Sequence, residues 1–257
     1  MSNKDGVSRT LVTALALCLV CSVIVSAAAV LLKPLQEANK TLDRKRNILA
    51  AAGMLDESKT VEEQFAEIST RVVDLRTGKF SDDVDPEKYN QKKAAKNSAM
   101  SLKLTAEQDL AKIGRREHYA VVYLVESAPG EYDKIILPVR GYGLWSTLYG
   151  FVALEADGNT IAGMGFYDHG ETPGLGGEVD NPRWKSQWPG KEVYKDGSVA
   201  IGLIKGAVNP QGAQALWQID GLSGATLTSK GVTNLVQFWL GQDGFQTFLN
   251  NLKSGEA

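Results

Sequence analysis

Residues 220–226 read Asp-Gly-Leu-Ser-Gly-Ala-Thr, and a run with helical periodicity follows them directly. Glycine and short polar residues at this place predict a turn whose free backbone N–H groups lie at the positive end of a helix. Such a turn suits a phosphate group, and the hydroxyl of Thr226 lies where that phosphate would bind. The stretch therefore predicts a cofactor phosphate held by this turn or bonded to it. The alternative is an ordinary helix start with Ser223 as its N-cap.

Two more stretches are rich in glycine, which lets the backbone approach a ligand closely. Residues 141–147 read Gly-Tyr-Gly-Leu-Trp-Ser-Thr, where Trp145 offers a flat apolar face to a ring. Residues 169–177 read His-Gly-Glu-Thr-Pro-Gly-Leu-Gly-Gly, where Glu171 and Thr172 supply hydrogen-bonding groups. Without a ligand, the first stretch would be a bend around a core tryptophan and the second a surface loop.

In this order, the three stretches resemble the pattern of the FMN-binding domain family. Residues 220–226 are similar to its flavinylation signature, and the other two to its Gly-x-Gly-Leu-Trp and Glu-Thr-Pro-Gly-Leu-Gly motifs. The resemblance implies that FMN is linked covalently to Thr226 by a phosphoester bond, which a magnesium-dependent flavin transferase makes from FAD. Trp145 would face the isoalloxazine ring, and Glu171 and Thr172 would bond ring or ribityl atoms. The full set of implied further contacts is Trp145, Ser146, Thr147, Glu171, Thr172, Gly174, Leu175, Gly176, Ser223, Gly224 and Ala225.

Residues 11–32 contain no charged residue, proline or glycine. As a helix they would be roughly 33 Å long at about 1.5 Å per residue, enough for a hydrocarbon core of about 30 Å. A cleaved signal peptide is the alternative, but its apolar region is usually shorter, about 7–15 residues. The sequence therefore predicts one uncleaved membrane-spanning helix in contact with the lipid bilayer, after a tail at residues 1–10.

Two arguments predict opposite orientations for this helix. Lys4 and Arg9 precede it, whereas five basic residues follow between residues 33 and 46, so a positive-inside count places the C-terminal domain in the cytoplasm. That count weakens when a long domain follows, and the family resemblance implies the periplasmic side of the cell inner membrane. We follow the resemblance.

The rest of the chain predicts an α+β domain. Alternating apolar residues predict two hairpins, one from residues 119–125 and 132–139 with a turn around 127–130, the other from residues 147–155 and 160–167. Helices are predicted at residues 34–53, 60–68, 228–240 and 244–252, and a further strand at 198–204. Strand pairs with terminal helices indicate an α+β domain with antiparallel strands and flanking helices, and the family resemblance implies that it is an extracytoplasmic FMN-binding domain. We place it at residues 116–257, after a helical and irregular connecting region at 33–115.

Composition and residue counts restrict the chemistry further. A net charge of −2 without a basic cluster predicts no nucleic-acid partner. With only His118 and His169 as histidines, and no ligand spacing, the outer domain is predicted to bind no metal. Cys18 and Cys21 lie in the apolar segment, either as packing residues or as half of an iron–sulfur or other metal site shared with a partner helix. Dinucleotide-binding, Walker and nucleophile-elbow motifs are absent, so no catalytic residue is assigned.

The whole chain, with its anchor and its three motifs, resembles the flavin-carrying subunits of sodium-translocating NADH:quinone reductases. That resemblance implies an electron-transferring flavoprotein in a complex that passes electrons from NADH to ubiquinone while sodium crosses the membrane. Other membrane subunits of the complex would be its partners. Two alternatives remain open. One is the homologous covalent-FMN subunit of an ion-translocating ferredoxin:NAD electron-transport complex, and the other is a membrane-anchored binding domain without flavin.

Overall fold

The structure is a computed structural model that describes residues 6–128 and 130–257. The first half of the expected tail at residues 1–10, with Lys4, and Pro129 in the expected turn therefore lie outside the described residues. The chain divides into two compact units, one that ends at Asp43 and one that spans Arg44–Ala257.

The described residues form six α-helices and twelve strands, some very short. The helices are α1 (Val7–Ala51), α2 (Val61–Phe65), α3 (Gln91–Ala94), α4 (Pro182–Lys185), α5 (Thr226–Trp239) and α6 (Gln246–Ser254). The strands are β1 (Ile68–Asp74), β2 (Lys79–Phe80), β3 (Ser101–Lys103), β4 (Arg115–Glu117), β5 (Tyr119–Ala128), β6 (Glu131–Tyr142), β7 (Thr147–Glu155), β8 (Ile161–Asp168), β9 (Tyr194–Lys195), β10 (Ser198–Val199), β11 (Gly202–Leu203) and β12 (Gln218–Ile219). Short 3-10 helices span Gly176–Asp180 and Ala215–Trp217.

Six strands form a central antiparallel sheet, in the order β2-β1-β5-β6-β7-β8. Both expected hairpins are confirmed: Tyr123 lies opposite Ile136 between β5 and β6, and Phe151 lies opposite Gly165 between β7 and β8. The α+β class, with a long apolar N-terminal helix before a domain of antiparallel strands, is confirmed as well.

The central sheet separates two apolar cores, because successive side chains of a strand point to opposite faces. On β6, Ile135 and Leu137 belong to the larger core, which also contains Leu235 of α5. Ile136, between them, belongs to the second core together with Leu49 near the end of α1. The sheet is thus the middle layer of the globular unit, and α5 packs on one of its faces against β6.

Strand β1 lies within the region that was expected to be a connector. The expected helix at residues 60–68 ends at Phe65, and the chain continues as β1. β-branched residues in Ile-Ser-Thr-Arg-Val-Val-Asp favour the strand because they lose side-chain freedom in a helix. β1 pairs with β5, with Val72 opposite Val121. The sheet therefore includes residues from before position 116.

Helix α1 is continuous, whereas the sequence predicted an anchor at residues 11–32 and a separate helix at 34–53. Pro34 lies inside it. A proline removes one helical hydrogen-bond donor, but the flanking leucine, glutamine, glutamate and alanine residues favour the helix strongly. By length and composition α1 can cross a membrane, and its apolar part is exposed in the described chain, as expected for an anchor.

The prediction of a single strand at residues 198–204 is wrong, because the structure has two short strands there. The N–H groups of Ala200 and Ile201 both donate to the carbonyl oxygen of Val193, at 2.8 and 3.2 Å, which interrupts the extended backbone between β10 and β11. β11 then pairs in parallel with β12. Because β12 ends at Ile219, this pairing fixes the chain directly before the turn at residues 220–226.

Candidate functional site

The turn at residues 220–226 leads directly into α5, whose first residue is Thr226. The N-cap position is Ala225, and no side chain of the described residues caps the helix, so the alternative with Ser223 as the N-cap is wrong. Gly224 has a φ of +71°, a left-handed conformation that glycine adopts easily because it has no Cβ. The helix start is therefore open at the end that favours an anion.

The hydroxyl groups around this helix start fall into two classes. Ser223 and Thr226 are exposed, and within the described residues neither hydroxyl takes part in a hydrogen bond. Thr228 and Ser229 are buried, and the Ser229 hydroxyl donates to the carbonyl oxygen of Ala225 at 3.0 Å. Of these four hydroxyls, only those of Ser223 and Thr226 are accessible to a reactant.

Backbone N–H groups at the start of α5 are also available. Those of residues 226–228 have no hydrogen-bond partner in the part of the chain that the structure describes, as is usual for the first turn of an uncapped helix. α5 is 14 residues long, so its dipole places about half a positive charge at this end. A phosphate bonded to Thr226 would lie beside these donors.

Asp220 fixes the turn to the body of the domain. Its carbonyl oxygen accepts from the Trp184 indole at 3.0 Å, its N–H donates to Gln187 at 3.0 Å, and its carboxylate accepts from the Val208 N–H at 2.7 Å. Trp184 and Trp188 are both buried, with ring centroids 5.6 Å apart. The tryptophan pair thus supports the turn, through a hydrogen bond that spans 36 residues of sequence.

The buried carboxylate of Glu171 joins the three motif stretches. Its Oε1 accepts hydrogen bonds from the backbone N–H groups of residues 144–146, at 3.1, 3.0 and 3.3 Å. Its Oε2 accepts from the Thr228 hydroxyl at 2.7 Å. Stretch 141–147, stretch 169–177 and the first turn of α5 therefore meet at one side chain, which is only 5% exposed.

Glu171 and Gly176 have roles in this junction, and their expected contact with a cofactor stays a prediction. Within the described residues, the Glu171 carboxylate makes four hydrogen bonds. Gly176 is buried, and a Cβ there would lie 2.6 Å from Thr228 Oγ1 and 2.7 Å from Glu171 Oε2. The absent side chain leaves room for that hydrogen bond. Thr228 was not expected from the sequence, where its one signal is a hydroxyl on the apolar face of α5.

The Glu171 carboxylate is also expected to make folding stability depend on acid pH. Burial alone raises its pKa, but hydrogen bonds from Thr228 and the amides of residues 144–146 outweigh burial, so the pKa lies below its ordinary value of 4.5. A lowered folded-state pKa stabilises the fold above pH 4.5, and this contribution is lost as pH falls through the folded-state pKa.

We expect Glu171→Gln to be less stable at neutral pH and to show a flatter loss of stability in acid. Urea midpoints of the full chain in detergent between about pH 3 and 7 measure this; parallel curves would contradict it.

Two expected contacts present apolar surface beside the turn. Trp145 is 66% exposed, so the alternative of a core tryptophan is wrong. Leu175 is 44% exposed, and a Cβ on Gly224 would lie 2.9 Å from its Cδ2. Leu227, next to Thr226, is 58% exposed. Large exposed apolar side chains that adjoin one another mark binding surfaces, whereas a single exposed apolar side chain is common on any protein.

The other expected contacts shape the two loops. The Ser146 hydroxyl accepts from the Gly170 N–H at 2.6 Å and so links them. Thr172 is exposed, and its carbonyl oxygen accepts from the N–H groups of Leu175 and Gly177. Gly174 is exposed, with a φ of +75°. Thr147 is half-buried as the first residue of β7.

Helix α5 and the 141–147 stretch touch through their backbones. A Cβ on Gly231 would lie 2.5 Å from the carbonyl oxygen of Tyr142 and 2.9 Å from the Cα of Gly143. Glycine at position 231 therefore allows an approach that any side chain would prevent, and it holds the helix directly against the stretch that carries Trp145.

His169 uses both ring nitrogens within the protein. Its Nδ1 accepts from the Glu171 N–H at 3.2 Å, and its Nε2 lies 2.8 Å from Asp180 Oδ2. Within residues 6–128 and 130–257, no group of three or more His, Cys, Asp or Glu side chains is arranged to hold a metal ion. Cys18 and Cys21 are free and exposed in the described chain.

Comparison with known proteins identifies the same region. The FMN-binding domain family matches residues 143–241, which include all three motif stretches except residues 141 and 142. The NqrC protein of the Na(+)-translocating NADH-quinone reductase of Pseudomonas aeruginosa is 58% identical over 100% of both chains. The protein of the same name from Vibrio anguillarum is 50% identical over 99% of this chain and 98% of its own.

Solved structures agree with these relatives. The crystal structure of Shewanella oneidensis NqrC superposes with a TM-score of 0.77 at 38% identity, covering 84% of this chain and 99% of that one. The corresponding Na(+)-translocating NADH-quinone reductase protein of Parabacteroides distasonis gives a TM-score of 0.64 at 27% identity, covering 85% and 96%.

Proposed function

The chain belongs to the NqrC family of Na(+)-translocating NADH-quinone reductase subunits, each a part of an oxidoreductase complex, and we propose that it carries FMN covalently on Thr226. In this proposal it is an electron-transferring flavoprotein in a complex that moves electrons from NADH to ubiquinone while sodium crosses the membrane. Its partners are the other membrane subunits of that complex.

One observation supports the attachment site above all others: Thr226 offers an exposed hydroxyl that makes no hydrogen bond within residues 6–128 and 130–257, at a helix start that no side chain of these residues caps. The free N–H groups of residues 226–228 fit the oxygens of a phosphate bonded there. The exposed faces of Trp145 and Leu175 fit an isoalloxazine ring. The described residues thus offer suitable groups for the phosphate and for the isoalloxazine ring of FMN.

When bound, FMN supplies the one-electron chemistry, and the protein supplies position and electrostatics. Attachment by a flavin transferase forms a bond between Thr226 Oγ1 and the FMN phosphorus of FAD. The pyrophosphate bond of FAD breaks, AMP leaves, and the hydroxyl proton is released. The uncapped start of α5 then stabilises the negative charge of the phosphodiester.

The intact mass of the protein tests this proposal. The full chain purified from its own host is expected to be heavier than its sequence by one FMN less one water. Acid precipitation should leave the yellow colour with the protein. A native chain with the mass of the bare sequence would refute the covalent link, and a colourless one would refute flavin binding.

We further propose that α1 spans the cell inner membrane once, with residues 44–257 in the periplasm. A covalent cofactor suits a compartment where lost FMN is not readily replaced, and a long domain translocates largely regardless of flanking charge. Protease added to spheroplasts is expected to degrade the globular unit, and protease added to inside-out vesicles is expected to spare it. The reverse pattern would place the unit in the cytoplasm, as the positive-inside count predicts.

A further inference from the structure

The Glu171 carboxylate is a buried charge without a counter-ion. Its hydrogen-bond donors are three backbone N–H groups and one hydroxyl, and within the described residues it takes part in no ion pair. Removing a carboxylate from water is costly, and here four hydrogen bonds from neutral groups offset that cost. The negative charge is therefore stabilised without being neutralised by an opposite charge, so it can act on its surroundings.

The carboxylate lies at the junction of both halves of the proposed FMN site. Oε1 holds the backbone of Trp145, the residue that offers the ring-binding face. Oε2 holds Thr228, two residues after the attachment residue Thr226. Any displacement of one half would break hydrogen bonds to the other, so Glu171 sets the position of the ring-binding loop relative to the phosphate-binding turn.

The same charge would act on a flavin ring bound against Trp145. The carboxylate is buried, where the effective dielectric constant is lower than in water, so its charge is felt over several ångströms. Reduction adds an electron to the ring, and a fixed negative charge nearby opposes that addition. A flavin on Thr226 would therefore be harder to reduce with Glu171 ionised than with a neutral side chain there.

We propose that Glu171 is a positioning residue that locks the Trp145 loop to the start of α5 and, through its charge, lowers the reduction potential of the FMN held there. The proposal rests on FMN being bound at Thr226. It assigns to Glu171 no direct contact with the flavin.

Glu171→Gln separates charge from shape. A glutamine keeps an oxygen for the three amides and loses the charge, and its amide nitrogen takes the place of Oε2, where it would donate to the Thr228 hydroxyl instead of accepting from it. Glu155→Gln is the matched control, because Glu155 ends β7 at the opposite end from Thr147 and pairs with Lys134 at the surface. Thr228→Val keeps the charge and removes one donor, and Thr228→Ser restores that donor.

The first readout is the reduction potential of the full chain with FMN attached, from absorbance during a redox titration. We expect a more positive potential in Glu171→Gln, the wild-type value in Glu155→Gln, and a smaller change in Thr228→Val than in Glu171→Gln. Thr228→Ser should return to the wild-type value. An unchanged potential in fully loaded Glu171→Gln overturns the role of the charge.

The second readout needs no flavin. In full chains that carry Thr226→Ala, we expect the amides of residues 144–146 to exchange hydrogen about tenfold faster when Glu171→Gln is added, since bonds to an ionised acceptor are stronger. Unchanged exchange overturns the locking role. If Glu171→Gln fails to fold, Thr228→Val tests the locking role instead: it removes one hydrogen bond of the junction and should speed exchange at residues 144–146, whereas Thr228→Ser should not. If the wild-type chain proves to hold no FMN, the proposed function fails, while the exchange result still decides whether Glu171 locks the loop.

Discussion

Thr226→Ala is expected to abolish covalently bound FMN while the chain still folds. Alanine has no oxygen for the phosphoester bond. The Thr226 side chain is exposed and its hydroxyl makes no hydrogen bond among the described residues, so its removal breaks no hydrogen bond there. Alanine is also a strong helix former at the start of α5. The measurement is flavin fluorescence of the denatured protein in a gel under ultraviolet light, with wild-type emission expected to disappear completely.

Two further variants make this result specific. Thr226→Ser keeps a hydroxyl at the same place and should retain covalent flavin. Ser223→Ala removes the other exposed hydroxyl of the turn and should leave flavin in place. A Thr226→Ala band as fluorescent as the wild type would disprove the assignment. A dark Ser223→Ala band beside a fluorescent Thr226→Ala band would move the attachment to Ser223.

Arg140→Met is expected to destabilise the fold by about 3–5 kcal/mol, because it leaves a buried charge without its partner. The Arg140 guanidinium pairs with Glu117, whose side chain is completely buried, and Gln91 donates to the same carboxylate at 2.6 Å. The guanidinium also donates to the carbonyl oxygen of Arg115 at 2.8 Å. Urea unfolding of the full chain in detergent, followed by tryptophan fluorescence, measures the loss.

The matched control for Arg140→Met is Lys88→Met, which removes the cation of an exposed pair with Asp85 and should leave stability unchanged within error. Combining Arg140→Met with Glu117→Gln should recover part of the lost stability, because a glutamine needs no counter-ion and still accepts from Gln91. If Arg140→Met behaves like Lys88→Met, the buried pair does not stabilise this fold.

Local patterns in the sequence predicted the elements that depend on neighbouring residues. The alternation on β7 and β8, with a turn between them, gave a hairpin whose first strand has the bounds expected for it. The Gly/Ser-rich turn before a helical run located Thr226 at the start of α5. The family resemblance then added FMN, which no spacing of residues alone would specify.

Contacts across long stretches of sequence were not predictable. Thr228 reaches Glu171 across 57 residues, so nothing near Thr228 marks it as part of the site. Strand β1 was missed because its pairing with β5 lies about fifty positions away, while the preceding residues favour a helix. Pro34 indicated a break in α1 that the strong helix formers around it override.

The glycine at position 231 bears on how electrons would pass through this protein. Because α5 rests on the main chain of Tyr142 and Gly143 with no side chain between them, the helix that begins at Thr226 and the stretch that carries Trp145 are packed backbone to backbone. A carrier that changes charge at every turnover loses least energy when its surroundings are already arranged for both states. This backbone packing would let the protein transfer an electron with little change in its structure.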